Sequence, residues 1–313
     1  MKIVFFGSDN FSLIIIASLI HTSHTTSAIV TTPDAKKGRG QHLSASPLKI
    51  CAREHDIPCL QPDNLSDAEV LSVLKDLRAD LFFIVSYGKI LPSEVLCLPR
   101  LYCITIHPSL LPKYRGPSPI PYTLLHGDTE TGFSVIKLSE KVDSGDIIYQ
   151  ETIAIDTMIN AHELSNTIAL YAAGKLRDIL EMIERGTVRF RPQDERNASY
   201  APFLKKEDGL LDWNTSSEKV HNRIRALIPW PCAYTYFRHK MLKIYKSHPS
   251  RTIKEIHPEQ PGIIVEINKQ GWMTVKTHDA SLRLLEVQYE GKKRMNAYEW
   301  AKGQRVKEGE KLG

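Results

Sequence analysis

Short apolar runs separated by polar, helix-spaced segments recur along the first 190 residues, beginning with Ile3-Val4-Phe5-Phe6 before Gly7. Apolar runs of about four to eight residues bounded by turn residues read as buried strands. On that criterion strands are expected over 2–6, 27–32, 81–86, 102–107, 133–138 and 147–155. Apolar positions at helical spacing predict helices over 12–21, 47–55, 66–77, 119–125 and 161–185, the first capped by Asp9-Asn10. Strands alternating with helices require right-handed crossovers, which gives an α/β fold with a doubly wound, mostly parallel, Rossmann-like sheet. Ligands of such sheets bind beyond the carboxyl ends of the strands, where strand order reverses. Gly7-Ser8, Ser86-Tyr87-Gly88 and His107 would lie there.

The pattern changes after residue 190. Residues 191–205 carry Pro192 and Pro202 with few apolar side chains, and are expected to be a linker. Residues 205–228 lead into a second unit, where short alternating runs over 234–237, 241–248, 262–268, 271–277 and 282–288 predict five strands. Five short strands with turns between them suit a small β-barrel of oligonucleotide-binding (OB) type. The expected division is a catalytic unit over 1–190, a linker over 191–205 and a barrel over 206–313, with a helical or loose tail from Gly291.

Composition narrows the classes. A chain of 313 residues with 42% apolar and 25% charged content can bury a full core. No apolar run reaches the roughly 18 residues of a membrane span, and no signal peptide is expected. Five cysteines, an odd number without metal-ligand spacing, point to free thiols in a reducing cytoplasm. The charge is uneven. Residues 206–313 hold 20 Lys+Arg against 13 Asp+Glu, or +7, while the first 205 carry −2, which together return the total of +5. A basic second unit is expected to face a polyanion.

The candidate chemistry centres on residues 104–116, Ile-Thr-Ile-His-Pro-Ser-Leu-Leu-Pro-Lys-Tyr-Arg-Gly. His107 stands at the carboxyl end of an apolar strand, on a loop stiffened by Pro108 and Pro112. Asp143, in a turn-like segment after the strand expected at 133–138, could reach the same crevice. A histidine oriented by a carboxylate, with donors nearby, can move an acyl group between nitrogens. Other classes fit poorly. Gly7-Ser8-Asp9-Asn10-Phe11 holds one glycine, too few for a dinucleotide loop, and no Walker loop is present. His107, Asp143, Asp146 and His126 could approach one another, but no two histidines share a helix at ligand spacing, so no metal is expected. The polar stretch over 31–49 has no periodic signal and is expected to be a long functional loop, with Lys36, Lys37 and Arg39 suited to a phosphate backbone.

These motifs carry a specific resemblance. His107 to Gly116, then Pro119, His126-Gly127-Asp128, Gly132 and Asp143-Ser144-Gly145-Asp146, resemble the signature of formyltransferases that use 10-formyltetrahydrofolate. The first loop 7–11, the insertion Thr32-Pro33-Asp34 through Gly38-Arg39-Gly40, Asp212-Trp213 and the stretch 225–231 are similar to the methionyl-tRNA formyltransferase group of that family. The resemblance covers about residues 1–290. It implies that His107 and Asp143 are catalytic, and that Ser86, Tyr87, Gly88, Ile90, Leu91 and Pro92 form the folate-pocket loop, with Ser109, Leu110, Leu111 and Pro112 also lining it. It further implies aminoacylated initiator tRNA as the partner of a monomer. Lys36, Lys37 and Arg39 of the insertion, and Lys206, Arg223, Arg225, Lys240 and Lys243 of the basic unit, are the candidate RNA contacts.

Two positions depart from that pattern. The family has Asn-x-His where this chain has Thr105-Ile106-His107, so the residue carried over as oxyanion donor is a threonine. Threonine offers one short hydroxyl donor on a β-branched stem. Tyr102 stands where the family usually has glycine and is expected to crowd the strand entrance. Three alternatives stay open on the sequence: an amino-sugar-nucleotide N-formyltransferase, a non-catalytic RNA- or folate-binding homologue, and a formate-releasing hydrolase.

Overall fold

The computed structural model describes residues 1–37, 42–250 and 260–313. In chain order the elements begin β1 (Lys2–Gly7), α1 (Asn10–Ile20), β2 (Thr25–Val30), β3 (Ala35–Lys37), β4 (His42–Ser44), α2 (Pro47–Glu54) and β5 (Cys59–Leu60). They continue with α3 (Ala68–Asp76), β6 (Leu81–Val85), α4 (Ser93–Leu96), β7 (Tyr102–His107), α5 (Pro119–His126), β8 (Glu130–Lys137), β9 (Ile147–Ala154) and α6 (Ala161–Glu184). After two short 3₁₀ turns come α7 (Ser217–Ala226), β10 (Ala233–Phe237), β11 (Lys240–Ser250), β12 (Ile264–Asn268), β13 (Trp272–Lys276), β14 (Ser281–Tyr289), β15 (Met295–Asn296) and α8 (Ala297–Gly303). Among the described residues no helix is long and apolar enough to cross a membrane.

The larger sheet runs β5-β2-β1-β6-β7-β8-β9, with parallel pairing from β5 to β7 and an antiparallel β7–β8 pair. Strands covered on both faces must be apolar throughout, and β1 and β6 are buried along nearly their whole lengths. One face packs Val4, Phe6, Phe82 and Ile84 against Leu74, Leu91 and Val95. Phe5 and Phe83 meet edge to face at 5.5 Å. Helix α1 starts where expected: Asp9 accepts from the Ser12 N–H at 2.9 Å while the Ser12 hydroxyl oxygen accepts from Asp9 N at 3.0 Å. The chain builds outward from β1 through β2 to β5, then returns to add β6 and β7 on the other side, so strand order reverses between β1 and β6. The two loops leaving that point are fastened together, the Ser8 hydroxyl donating to the Ser86 carbonyl at 2.7 Å.

Two expectations about local structure change. The long loop over 31–49 contains a small antiparallel pair, β3 with β4, in register Lys36 with Leu43. Backbone pairing of three-residue strands needs no apolar alternation, so periodicity gave no sign of it; residues 38–41, including Arg39, lie outside the described ones. Tyr102 is accommodated at its strand end, its ring edge to face with Phe190 at 5.6 Å and beneath the Lys137 ammonium.

The chain separates into two compact units, but not at residue 190. The second unit takes in Pro117–Thr131 and Ala154–Leu164 as well as Ala201–Gly313, because α5 packs on α7. Its sheet pairs β10-β11-β14-β13-β12, with β15 added beside β14. All five expected strands are present there, and the tail supplies helix α8. The inward faces enclose Leu242, Ile244, Leu282 and Leu284, with Phe237 and Tyr289 packed on Trp300 at 5.2 and 5.8 Å.

His221, buried on α7, bonds the Ser247 hydroxyl through Nδ1 at 2.9 Å and donates from Nε2 to the Thr157 carbonyl at 3.1 Å. Burial holds its imidazole below the ordinary value of 6.5. The unfolded chain therefore takes up a proton that the folded protein refuses, and stability present above about pH 6.5 falls as the pH drops below it. In urea titrations the unfolding free energy should decline from about pH 7 to pH 5, and His221→Gln should flatten that decline; an equally steep decline in the variant would remove His221 as its source.

Candidate active site

Strand β7 places Thr105 and His107 on one face, because alternate side chains of a strand point the same way. Both are nearly buried, His107 at 6% exposed. The proline-stiffened segment then doubles back and sets the Tyr114 carbonyl 2.8 Å from His107 Nε2. A carbonyl can only accept, so Nε2 carries the hydrogen of that contact. Nδ1 faces the Asp143 carboxylate at 3.5 Å. The hydroxyl of Thr105 makes no hydrogen bond among the described residues and stays free to donate.

Asp143 is held by its surroundings. Its backbone is left-handed (φ 51°), and its carboxylate accepts the Gly116 N–H at 2.8 Å. Gly116 itself adopts φ 106°, a conformation open mainly to glycine. Gly145, two residues after Asp143, allows close chain approach: a Cβ there would lie 1.7 Å from the Lys137 carbonyl oxygen.

The strongest supports lie in the segment expected to be a linker. Arg115 is 1% exposed. Its Nε and Nη2 donate to the Gln193 side-chain oxygen at 3.0 and 2.8 Å, and its guanidinium also pairs with Glu195. Hydrogen bonding to Glu195 raises the guanidinium's pKa, while that same bond lowers the carboxylate's. The Gln193 amide in turn donates to the carbonyls of Asp143 and Gly145, both at 2.8 Å. Ser199 accepts the Tyr114 N–H at 2.9 Å. Residues 193–199 therefore clamp the histidine loop to the aspartate turn, and their polarity serves bonding within the first unit rather than exposure. Ser134 and Gln150 anchor the other side: Ser134 accepts from Leu111 N and donates to the Ser109 carbonyl, while Gln150 donates to the Leu111 carbonyl. None of these five polar residues was singled out from the sequence, since isolated Ser, Gln and Glu carry no spacing signal.

The expected folate loop divides by orientation. Ser86 (φ 48°) and Gly88 (φ 80°) turn the chain at the end of β6. Tyr87 points into the core against Phe6, where burial pushes its phenol up to about 12, and Leu91 is also buried in that core. Their side chains do not line a crevice, because the left-handed turn rotates these apolar groups inward. Ile90 is 80% exposed, and Pro92 caps α4. Ser109 and Leu111 are likewise internal, Ser109 bonding the Lys113 carbonyl and Leu111 packing on Ile136 and Ile147; Leu110 and Pro112 are only partly covered.

The expected RNA contacts also divide. Arg225 is buried and spans Asn222 with the carbonyls of Asp156 and Ile159, and Arg223 donates to the Asp208 carbonyl at 2.7 Å. Both arginines are occupied by the fold, as expected where guanidinium donors are the nearest partners for buried carbonyls. Lys206 and Lys240 are exposed and Lys243 is half-buried, while Lys36 and Lys37 lie on β3. No group of three or more His, Cys, Asp or Glu arranged for a metal occurs among the described residues.

A conserved-domain description, formyl transferase, matches residues 1–175, and a second, formyl transferase C-terminal domain, matches 204–305. The chain belongs to the formyl transferase family. A methionyl-tRNA formyltransferase of Geobacter metallireducens is 38% identical over 313 residues, covering 100% of this chain and 99% of that protein. Among solved structures, HypX from Aquifex aeolicus in complex with tetrahydrofolic acid superposes at TM-score 0.66 and 16% identity. That match covers 96% of this chain, which spans about half (47%) of HypX. WlaRD, a sugar 3N-formyl transferase, matches at TM-score 0.67 and 19% identity over 94% of this chain and 99% of its own. At these identities the two structures establish the fold.

Gln193→Met should leave two Arg115 donors unpaired in the interior and release the Asp143 turn. A loss of about 2–3 kcal/mol of unfolding free energy in denaturant titration is expected, and a loss below about 0.5 kcal/mol would show that the clamp is not required.

Proposed function

We propose that this formyl transferase moves the formyl group of 10-formyltetrahydrofolate to the α-amine of methionine esterified to initiator tRNA, acting as a monomer in the cytoplasm. The observation that carries the reading is the facing pair His107–Asp143 at the carboxyl end of β7, in a chain that aligns end to end with methionyl-tRNA formyltransferases. The site fits a formyl-folate: the free Thr105 hydroxyl and the His107 ring offer polar contacts to a formyl oxygen, and exposed Ile90 offers an apolar one to a ring. Ser86, Gly88, Leu110 and Pro112 would contribute backbone and partial side-chain contacts at the same strand ends.

In the transfer, the amine nitrogen bonds to the formyl carbon and the bond from that carbon to folate N10 breaks. Negative charge builds on the formyl oxygen between these events. An oxyanion accepts more strongly than a neutral carbonyl, so it draws the Nε2 hydrogen of His107 away from the Tyr114 carbonyl. The amine gives up one proton as it bonds and N10 takes one up as it leaves, a net transfer that the Asp143 carboxylate, facing the ring at 3.5 Å, would relay. Thr105 supplies a second, weaker donor to the same oxygen. Lys206, Lys240 and Lys243, with Lys36, Lys37 and Arg39 of the insertion, would contact the tRNA backbone.

The test is formylation of methionyl initiator tRNA with labelled formyl donor, run beside an amino-sugar nucleotide. Transfer to the charged tRNA alone is expected; transfer to the sugar alone would replace the reading. Thr105→Asn should raise kcat with KM for either substrate little changed, by up to about 10²-fold if the amide aims as a full oxyanion donor. A flat or lower kcat would remove Thr105 from that role. His107→Ala should abolish most turnover, with tRNA affinity retained in filter binding, and an unchanged rate would exclude the imidazole from the reaction.

A further inference from the structure

The second unit carries, beside the lysines already assigned to RNA, a set of aromatic side chains that none of the roles above uses. Residues 219–250 contain seven Lys+Arg and no Asp or Glu, together with Trp230, Tyr234, Tyr236 and Tyr245. Strand alternation sorts this stretch: Ala233, Thr235 and Phe237 point into the core, so Tyr234 and Tyr236 share the outer face of β10. Their rings meet edge to face at 5.9 Å. Register sets Lys243 opposite Tyr234, and Tyr245 follows on the same face of β11, under the Arg294 guanidinium at 4.2 Å. Tyr236 is 39% exposed and Trp230, just before the strand, 58%.

An edge strand often recruits another strand, but the outer backbone of β10 is already used. Leu211 N–H donates to the Tyr234 carbonyl and Gly313 N–H to the Tyr236 carbonyl, both at 2.9 Å. What remains available is narrower than the whole face: Tyr234 is buried at 8% exposed and Tyr245 is covered by Arg294, which leaves Tyr236, Trp230 and the half-exposed Lys243. That chemistry complements unpaired nucleotides: every base has a π-face for a tyrosine or tryptophan, and the phosphates between bases match Lys243, which makes no ion pair among the described residues, while the nearby Glu286 is neutralised by Arg294. A duplex hides its base faces and leaves the rings nothing to stack on.

We propose that the outer face of β10 and β11 is a stacking platform for unpaired nucleotides of the RNA substrate, with Tyr236 and Trp230 receiving bases and Lys243 the adjoining phosphate. The inference rests on the RNA reading of the basic unit and adds to it how that RNA is held.

The test uses the full-length protein and fluorescently labelled RNA octamers, one single-stranded and one annealed to its complement, in anisotropy titrations. The single strand should bind more tightly than the duplex. Tyr236→Ala should weaken single-strand binding about tenfold, with Tyr236→Phe close to the parent because the ring is kept. Lys243→Gln should lower the slope of log affinity against log salt by about 0.7. Equal affinity for both octamers in all variants, or equal losses for Tyr236→Ala and Tyr236→Phe, would overturn the platform. A parent protein that formylates methionyl-tRNA normally while failing the octamer test loses the platform alone; one that formylates no tRNA loses the functional reading itself.

Discussion

A guanidinium removed from water must find acceptors for its fixed fork of donors, and in this fold that requirement organises the active loops. Arg115 closes the histidine-bearing segment, and its acceptors come from Gln193 and Glu195, nearly 80 residues further on. Because the Gln193 amide donates to the carbonyls around Asp143, one side chain ties three segments of the chain: the loop after β7, the turn after β8, and the segment that leaves α6. The His107–Asp143 distance is a consequence of that clamp, since neither residue bonds the other strongly enough at 3.5 Å to fix it alone.

Thr105 gives the site an unusual balance. Asparagine in the related motif would deliver an amide donor on a longer, planar stem, whereas a hydroxyl on a β-branched carbon reaches less far and aims from fewer rotamers. In the proposed transfer more of the developing charge would then fall on His107, whose Nε2 hydrogen bonds the Tyr114 carbonyl at 2.8 Å.

Much of the fold was legible because its determinants are local. Strands β1, β6 and β7 are continuous apolar runs, α1 announces itself through Asp9 and Ser12, and the expected strands of the second unit alternate cleanly about Phe237, Leu242 and Leu284. His107 and Asp143 stood out because glycine, proline and aspartate at fixed spacing leave the backbone few alternatives. Long-range polar bonding was not legible. Gln193 and Glu195 looked like solvated linker residues, and Arg225 like an RNA contact, because sequence records a charge but not the carbonyls it will meet. Tyr87 and Leu91 likewise turned inward through the left-handed backbone at Ser86 and Gly88, a rotation no hydropathy pattern encodes. The second unit's capture of α5 was hidden for the same reason, since packing of α5 on α7 joins segments nearly 100 residues apart.

In the proposed reaction the formyl group sits between Thr105 and His107. A crystal structure with a non-transferring formyl-folate measures this directly. The formyl oxygen is expected within about 3 Å of Nε2 of His107 or of the Thr105 hydroxyl, with the Tyr114 carbonyl displaced from the ring. A formyl group bound away from the end of β7, with the His107–Tyr114 contact intact, would contradict it.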